Sequence, residues 1–222
     1  MRAYSELYVA EAQRKLGAML DYAVNGVGAD LSESYHAFIA CGLADKFGTG
    51  APWVVAGRSG AELAIAALDL PEERIVDFTP INGASAQYWT GWALAYYQWS
   101  SACSFATLEE IVPIDEIERM YHPYHEMDIT SFCHRMDEMV LERCPDTNLK
   151  TRRLNAGLSQ SDLAAASGVP LRTLQQYEQR RKDINKAQAE YIVAFARVLC
   201  CDAGDLLEHT SGVRFEYGYT TL

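Results

Sequence analysis

Along the first two-thirds of the chain, apolar residues recur at steps of three and four, the spacing that lays one face of an α-helix on a core. Tyr8, Ala12, Leu16, Met19, Leu20 and Ala23 define a first long helix that ends near Asn25-Gly26. Ser32-Glu33-Ser34-Tyr35 opens a second, with Tyr35, Phe38, Ile39 and Leu43 on its apolar side. Ser59-Gly60-Ala61-Glu62 reads as a capping box, in which the hydroxyl and the carboxylate take up backbone N–H groups at a helix start; Leu63 to Leu68 continue that helix. A fourth follows Asn82-Gly83 and runs from about Ser85 to Ser101. Short helices begin at Thr107-Leu108-Glu109-Glu110 and Pro113-Ile114-Asp115-Glu116, and a longer one spans about Glu126 to Arg143. Trp53-Val54-Val55-Ala56 is the best strand-like segment.

The pattern tightens after Cys144-Pro145-Asp146-Thr147, which reads as a hinge. Ser159 suits an N-cap for a helix whose inner face is Leu163 and Ala164. Gly168 ends that helix where the chain must turn at little steric cost, and Pro170 sits in the first turn of the next. In that next helix Leu174 and Tyr177 point inward, while Leu171, Arg172, Gln175, Gln176 and Gln179 point out. Two helices joined by a short Gly-containing turn, the second with a polar outer face, predict a unit that reads a DNA major groove.

At these residues the sequence resembles the Cro/repressor-type (XRE) helix-turn-helix family. The resemblance covers about the last third of the chain. A preceding helix with Leu149, Arg152, Arg153 and Leu154 ends at Gly157, and Leu158-Ser159-Gln160 is the opening typical of the family. After the second motif helix come the basic loop Arg180-Arg181-Lys182-Asp183-Ile184-Asn185-Lys186 and a helix bearing Tyr191, Ile192, Phe195, Val198 and Leu199. Cys201 to Leu207 then stand where the family has a final short helix. The resemblance implies that Gln160 grips a phosphate from the groove edge, with Thr173 and the Arg180, Arg181, Lys182 loop as further phosphate contacts. Arg172, Gln175 and Gln176 share one helix face, and Arg suits guanine as Gln suits adenine, so these three are the expected base readers. Leu171 is placed to touch a thymine methyl. Arg153 is either a phosphate contact or a helix-surface charge.

Charge is unevenly distributed. The chain carries a net −11, which by itself argues against general affinity for nucleic acid. Residues 1–145, however, hold nine Lys/Arg against 21 Asp/Glu, whereas residues 148–186 hold eight against three, a net +5. A basic window on an acidic body suits a protein that binds a specific site without coating DNA.

Other chemistry is sparse. No apolar run reaches the ~18 residues of a membrane span, and the N-terminus lacks a signal-peptide pattern, so a cytoplasmic protein is expected. Six cysteines without a Cys-x-x-Cys pair suggest a buried, reduced set. Trp89, Trp92, Tyr96 and Trp99 form a stripe on the fourth helix, more consistent with core than with a partner or ligand surface. His122-Pro123-Tyr124-His125 and Cys133-His134 show no closed four-ligand spacing, so neither metal nor other cofactor is expected. No Gly-x-Ser-x-Gly, phosphate-cradling Gly loop or His-Glu-x-x-His occurs, which argues against an enzyme.

The N-terminal pattern (Tyr8, Ala12-Gln13-Arg14, Gly57-Arg58-Ser59-Gly60, then Tyr88-Trp89, Gly91-Trp92 and Tyr96 to Trp99) resembles a group of uncharacterised helix-turn-helix proteins from anaerobic gut bacteria. Some of these are encoded beside an ADP-ribosyltransferase-type toxin, and the resemblance implies an antitoxin-like regulator. The expected organisation is all-α: an acidic helical domain over 1–145 that senses an effector or binds a toxin-like partner, and a five-helix helix-turn-helix domain over 146–208. A tail over 209–222 completes it, in which Val213 to Tyr219 alternate like a half-buried strand. That strand either pairs across a two-fold axis or folds back on the N-terminal domain. The expected function is a homodimeric, sequence-specific regulator of transcription, a repressor, on a pseudo-palindromic double-stranded DNA site. The alternative is an antitoxin-like or scaffold module working through its N-terminal domain.

Overall fold

The computed structural model describes residues 3–71, 85–144 and 146–208, and among these every regular element is helical. The fold is all-α. The strand expected within Val213 to Tyr219 lies outside the described residues, as do Asn82, Gly83 and Pro145 of the expected turns. The chain forms two compact units that divide between Val140 and Leu141.

The first unit contains α1 (Val9–Asp21), α2 (Leu31–Ala40), α3 (Leu43–Gly48), α4 (Pro52–Val55), α5 (Gly60–Ala67), α6 (Ala86–Ser101), α7 (Phe105–Ile111), α8 (Ile114–Arg119), the single turn α9 (Tyr121–Tyr124) and α10 (Ile129–Arg143) up to Val140. Helix α1 is the centre, with Ala12, Leu16, Met19 and Leu20 fully buried, and it continues through a π-turn over Tyr22–Gly26. Glycines let its neighbours approach. A Cβ on Gly91 of α6 would lie 2.4 Å from the Leu16 carbonyl oxygen, and one on Gly60 of α5 would lie 2.5 Å from the Ala18 Cβ. Beside this crossing, Phe38 makes edge-to-face contacts with Phe47 and Phe105, at ring separations of 5.9 and 5.8 Å.

Three details depart from expectation. Trp53-Val54-Val55 is a helical turn, not a strand. Pro52 occupies the first helical position, the Ala51 carbonyl accepts from both Val54 and Val55 N–H, and both valines are buried, which a strand would place on opposite faces. Helix α2 begins earlier than Ser32: the Asp30 carboxylate accepts from Glu33 N–H, and the left-handed Gly42 separates off Leu43, which starts α3. The cysteines are all free, but only Cys103 and Cys133 are buried; Cys41 and Cys200 cap the C-termini of their helices and are exposed.

The second unit comprises α11 (Asn148–Asn155), α12 (Gln160–Ser167), α13 (Leu171–Glu178), a 3-10 turn over Ile184–Lys186, α14 (Ala189–Leu199) and a closing 3-10 turn over Ala203–Leu206. Leu149, Leu163, Val169, Leu174, Tyr177, Ile184, Ile192, Phe195, Leu199 and Leu206 form its core. Local chemistry sets the helix starts: the Thr147 hydroxyl accepts from Lys150 N–H, and Ser159 makes a reciprocal capping box with Asp162.

Candidate nucleic-acid interface

Helix α12 ends at Gly168, whose φ of +72° is the left-handed conformation open to glycine. Val169 is buried beneath the turn, and Pro170 is the N-cap of α13, one position before the first-turn placement expected. Leu174 and Tyr177 anchor α13, and burial beside Tyr191 raises the Tyr177 hydroxyl above its usual range. On the opposite side Leu171 and Arg172 are exposed, and Thr173, Gln175 and Gln176 are half-buried.

Behind this surface lies a polar network. Arg153 of α11 makes a two-pronged pair with Glu178 of α13, Nε to Oε1 at 2.6 Å and Nη2 to Oε2 at 3.0 Å, while its Nη1 donates to the Leu158 carbonyl at 2.7 Å. The pair is nearly sealed from solvent, with 7% and 2% of the two side chains exposed. Its hydrogen bonds hold the Arg153 guanidinium above its ordinary pKa range. Gln160 Nε2 donates to the same carboxylate at 2.7 Å, and Gln175 Nε2 donates to Gln160 Oε1 at 3.3 Å. An ionised carboxylate only accepts, so Gln160 must turn its NH2 inward; its carbonyl must then receive the Gln175 NH2. Within the described residues the Gln175 side chain makes no further hydrogen bond.

Residues 149–203 match the helix-turn-helix family model HTH_3. This segment is a helix-turn-helix domain of the Cro/repressor (XRE) type. No curated protein and no solved structure matches the chain. The matched domain supports a DNA-binding, regulatory role, and it gives the expected contact residues a frame. Leu171, Arg172, Gln175 and Gln176 lie together on the outer side of the second motif helix. Gln160 stands at the first residue of α12, bridged to Gln175. Arg181 and Lys182 are exposed in the loop after α13, and within the described residues neither is in an ion pair.

Two arginines have partners within the protein. Arg153 is neither a phosphate contact nor a surface charge: it is the buried partner of Glu178. Arg180 turns its head group to acceptors of its own unit, the carbonyls of Cys144 and Asp146 and the carboxylate of Glu208. Glu178 was missed in the sequence, although a signal existed. Arg153 follows the buried Leu149 by four residues and Glu178 follows the buried Leu174 by four, so opposite charges stand on two inward faces.

The features singled out in the first unit lie elsewhere. Trp89 and Trp99 are buried, Trp92 and Tyr96 are half-buried against the same core, and Trp89 packs on Phe132 at 5.3 Å. They form no open stripe. Cys133 is buried, its thiol pushed up to about 12 by desolvation, whereas His134 beside it is exposed. Among the described residues no group of three His, Cys, Asp or Glu side chains is arranged to hold a metal ion, and no helix is long and apolar enough to cross a membrane.

Proposed function

We propose that this protein is a sequence-specific regulator of transcription, a repressor that binds a pseudo-palindromic operator in the cytoplasm as a homodimer and catalyses no reaction. The observation that carries the reading is the outer face of α13. Arg172 and Gln176 are open to a ligand there, and Gln175 is oriented by a buried carboxylate through Gln160. Arg172 suits guanine O6 and N7; Gln175 and Gln176 suit adenine N6 and N7; Leu171 suits a thymine methyl. Gln160, Thr173, Arg181 and Lys182 set the register on the phosphates, which carry affinity but no sequence information. One recognition helix spans few base pairs, so a specific site requires a second copy about one helical turn away.

The test is binding of the purified protein to the DNA upstream of its own gene and to a scrambled duplex, at two salt concentrations. Much tighter binding to the former, with steep salt dependence, supports the reading; equal, weak binding to both rejects it. A second role rests on charge. Residues 1–145 carry a net −12, which suits a basic protein partner such as a toxin, neutralised by the regulator of its own operon. Co-purification with the product of a neighbouring gene, lost at high salt, checks that role.

A further inference from the structure

Arg180, in the basic loop after α13, binds acceptors of its own unit. Its φ of +52° marks the bend where the chain leaves α13. Its Nη2 donates to the Cys144 and Asp146 carbonyls, each at 3.3 Å, and to Glu208 Oε2 at 3.0 Å. The other Glu208 oxygen accepts the Asn148 N–H, the first of α11, at 2.8 Å. Five residues beyond Arg180, Asn185 exchanges a pair of hydrogen bonds with the Glu208 backbone, at 2.7 and 2.9 Å. Glu208 therefore joins the start of the domain, the basic loop and the chain that follows it. Between Arg180 and Asn185 lie Arg181 and Lys182, exposed and without an ion pair within the described residues.

We propose that Arg180 and Glu208 are positioning residues of the DNA interface. They form a clasp that touches no phosphate, holds the loop bearing Arg181 and Lys182 in its binding geometry, and ties it to the segment 144–148. The proposal rests on the DNA-binding reading above. With the clasp in place the loop is ordered before DNA arrives; without it, ordering is charged against binding. Losing the clasp therefore weakens affinity without removing a phosphate contact.

The experiment uses the full chain, Glu208→Gln and Arg180→Gly. Glu208→Gln is isosteric and keeps an acceptor for Asn148. Arg180→Gly suits the left-handed backbone, so a folded variant is retained. Binding to a labelled duplex of the DNA upstream of the gene is measured by anisotropy from about 50 to 200 mM salt, with melting by circular dichroism alongside. Both variants are expected to bind about five- to tenfold more weakly, with an unchanged salt slope. A slope shallower by about 0.9 in Arg180→Gly would make Arg180 a phosphate contact and overturn the clasp. Tighter, more salt-sensitive binding by Glu208→Gln would do the same, and unchanged affinity in both variants removes the positioning role. A wild-type protein that binds neither this duplex nor a random one rejects the DNA reading and the clasp together.

Discussion

Arg153 and Glu178 place a full charge each at positions where the helical pattern of α11 and α13 calls for apolar side chains. Burying two ions is costly, and the two-pronged geometry offsets much of that cost; removing one partner strands the other. Glu178→Gln is expected to destabilise the helix-turn-helix domain by about 3–5 kcal/mol, and Arg153→Met with Glu178→Leu to recover most of the loss, as read by urea unfolding. The same carboxylate orients the Gln160 and Gln175 amides. Arg172 is exposed and in no ion pair within the described residues. Arg172→Ala should cost about 1–3 kcal/mol on the cognate site and far less on scrambled DNA; an equal loss on both would make it a phosphate contact instead. In the first unit Glu109 is raised above the ordinary carboxyl value of 4.5 by desolvation, which outweighs the Ile114 N–H and His36 that favour its charge. A raised carboxyl contributes its full stability below the unfolded value and loses it as pH climbs through the folded one. Glu109→Gln should thus match wild type in acid and melt higher toward neutral pH, which thermal scans across about pH 4 to 8 can check.

Two glycines at the scale of the element fail in opposite ways when substituted. Gly168 has open space where a Cβ would stand, but its φ is +72°, so the strain is in the backbone. Gly168→Ala should cost about 1–2 kcal/mol and leave the packing of α12 and α13 intact. Gly91 lies inside α6, with ordinary helical backbone and no room: a Cβ would stand 2.4 Å from the Leu16 carbonyl oxygen. Gly91→Ala must push α6 away from α1, at about 1–3 kcal/mol or more. Melting curves on both variants test the contrast, and substituting Gly168 with Asn, which tolerates the left-handed region, should recover part of the first loss. The cap residues act at the same scale. Ser59 and Ser159 both make capping boxes; the sequence showed the pairing of Ser59 with Glu62 and, at Ser159, the N-cap alone.

Charge is segregated across the whole molecule, a net −12 over residues 1–145 against +5 over 148–186. Long-range repulsion from the acidic portion is expected to suppress non-specific association with DNA, and the basic window to localise attraction. Replacing both Arg181 and Lys182 with Ala should lower the log–log salt slope by about 2 while leaving the preference for cognate over scrambled sequence in place. The sequence by itself determined the all-α class, the helix-turn-helix order, its glycine turn and caps, and which side of α13 faces out, because these depend on neighbours three or four residues apart. Which partners Arg153, Arg180, Glu178 and Glu208 take was settled only by the tertiary structure. Their partners lie 25 and 28 residues away along the chain, and an arginine bound to an internal carboxylate is written with the same letter as one bound to a phosphate. The turn at Trp53 was likewise decided there, since burying two adjacent valines together requires a core for both to face.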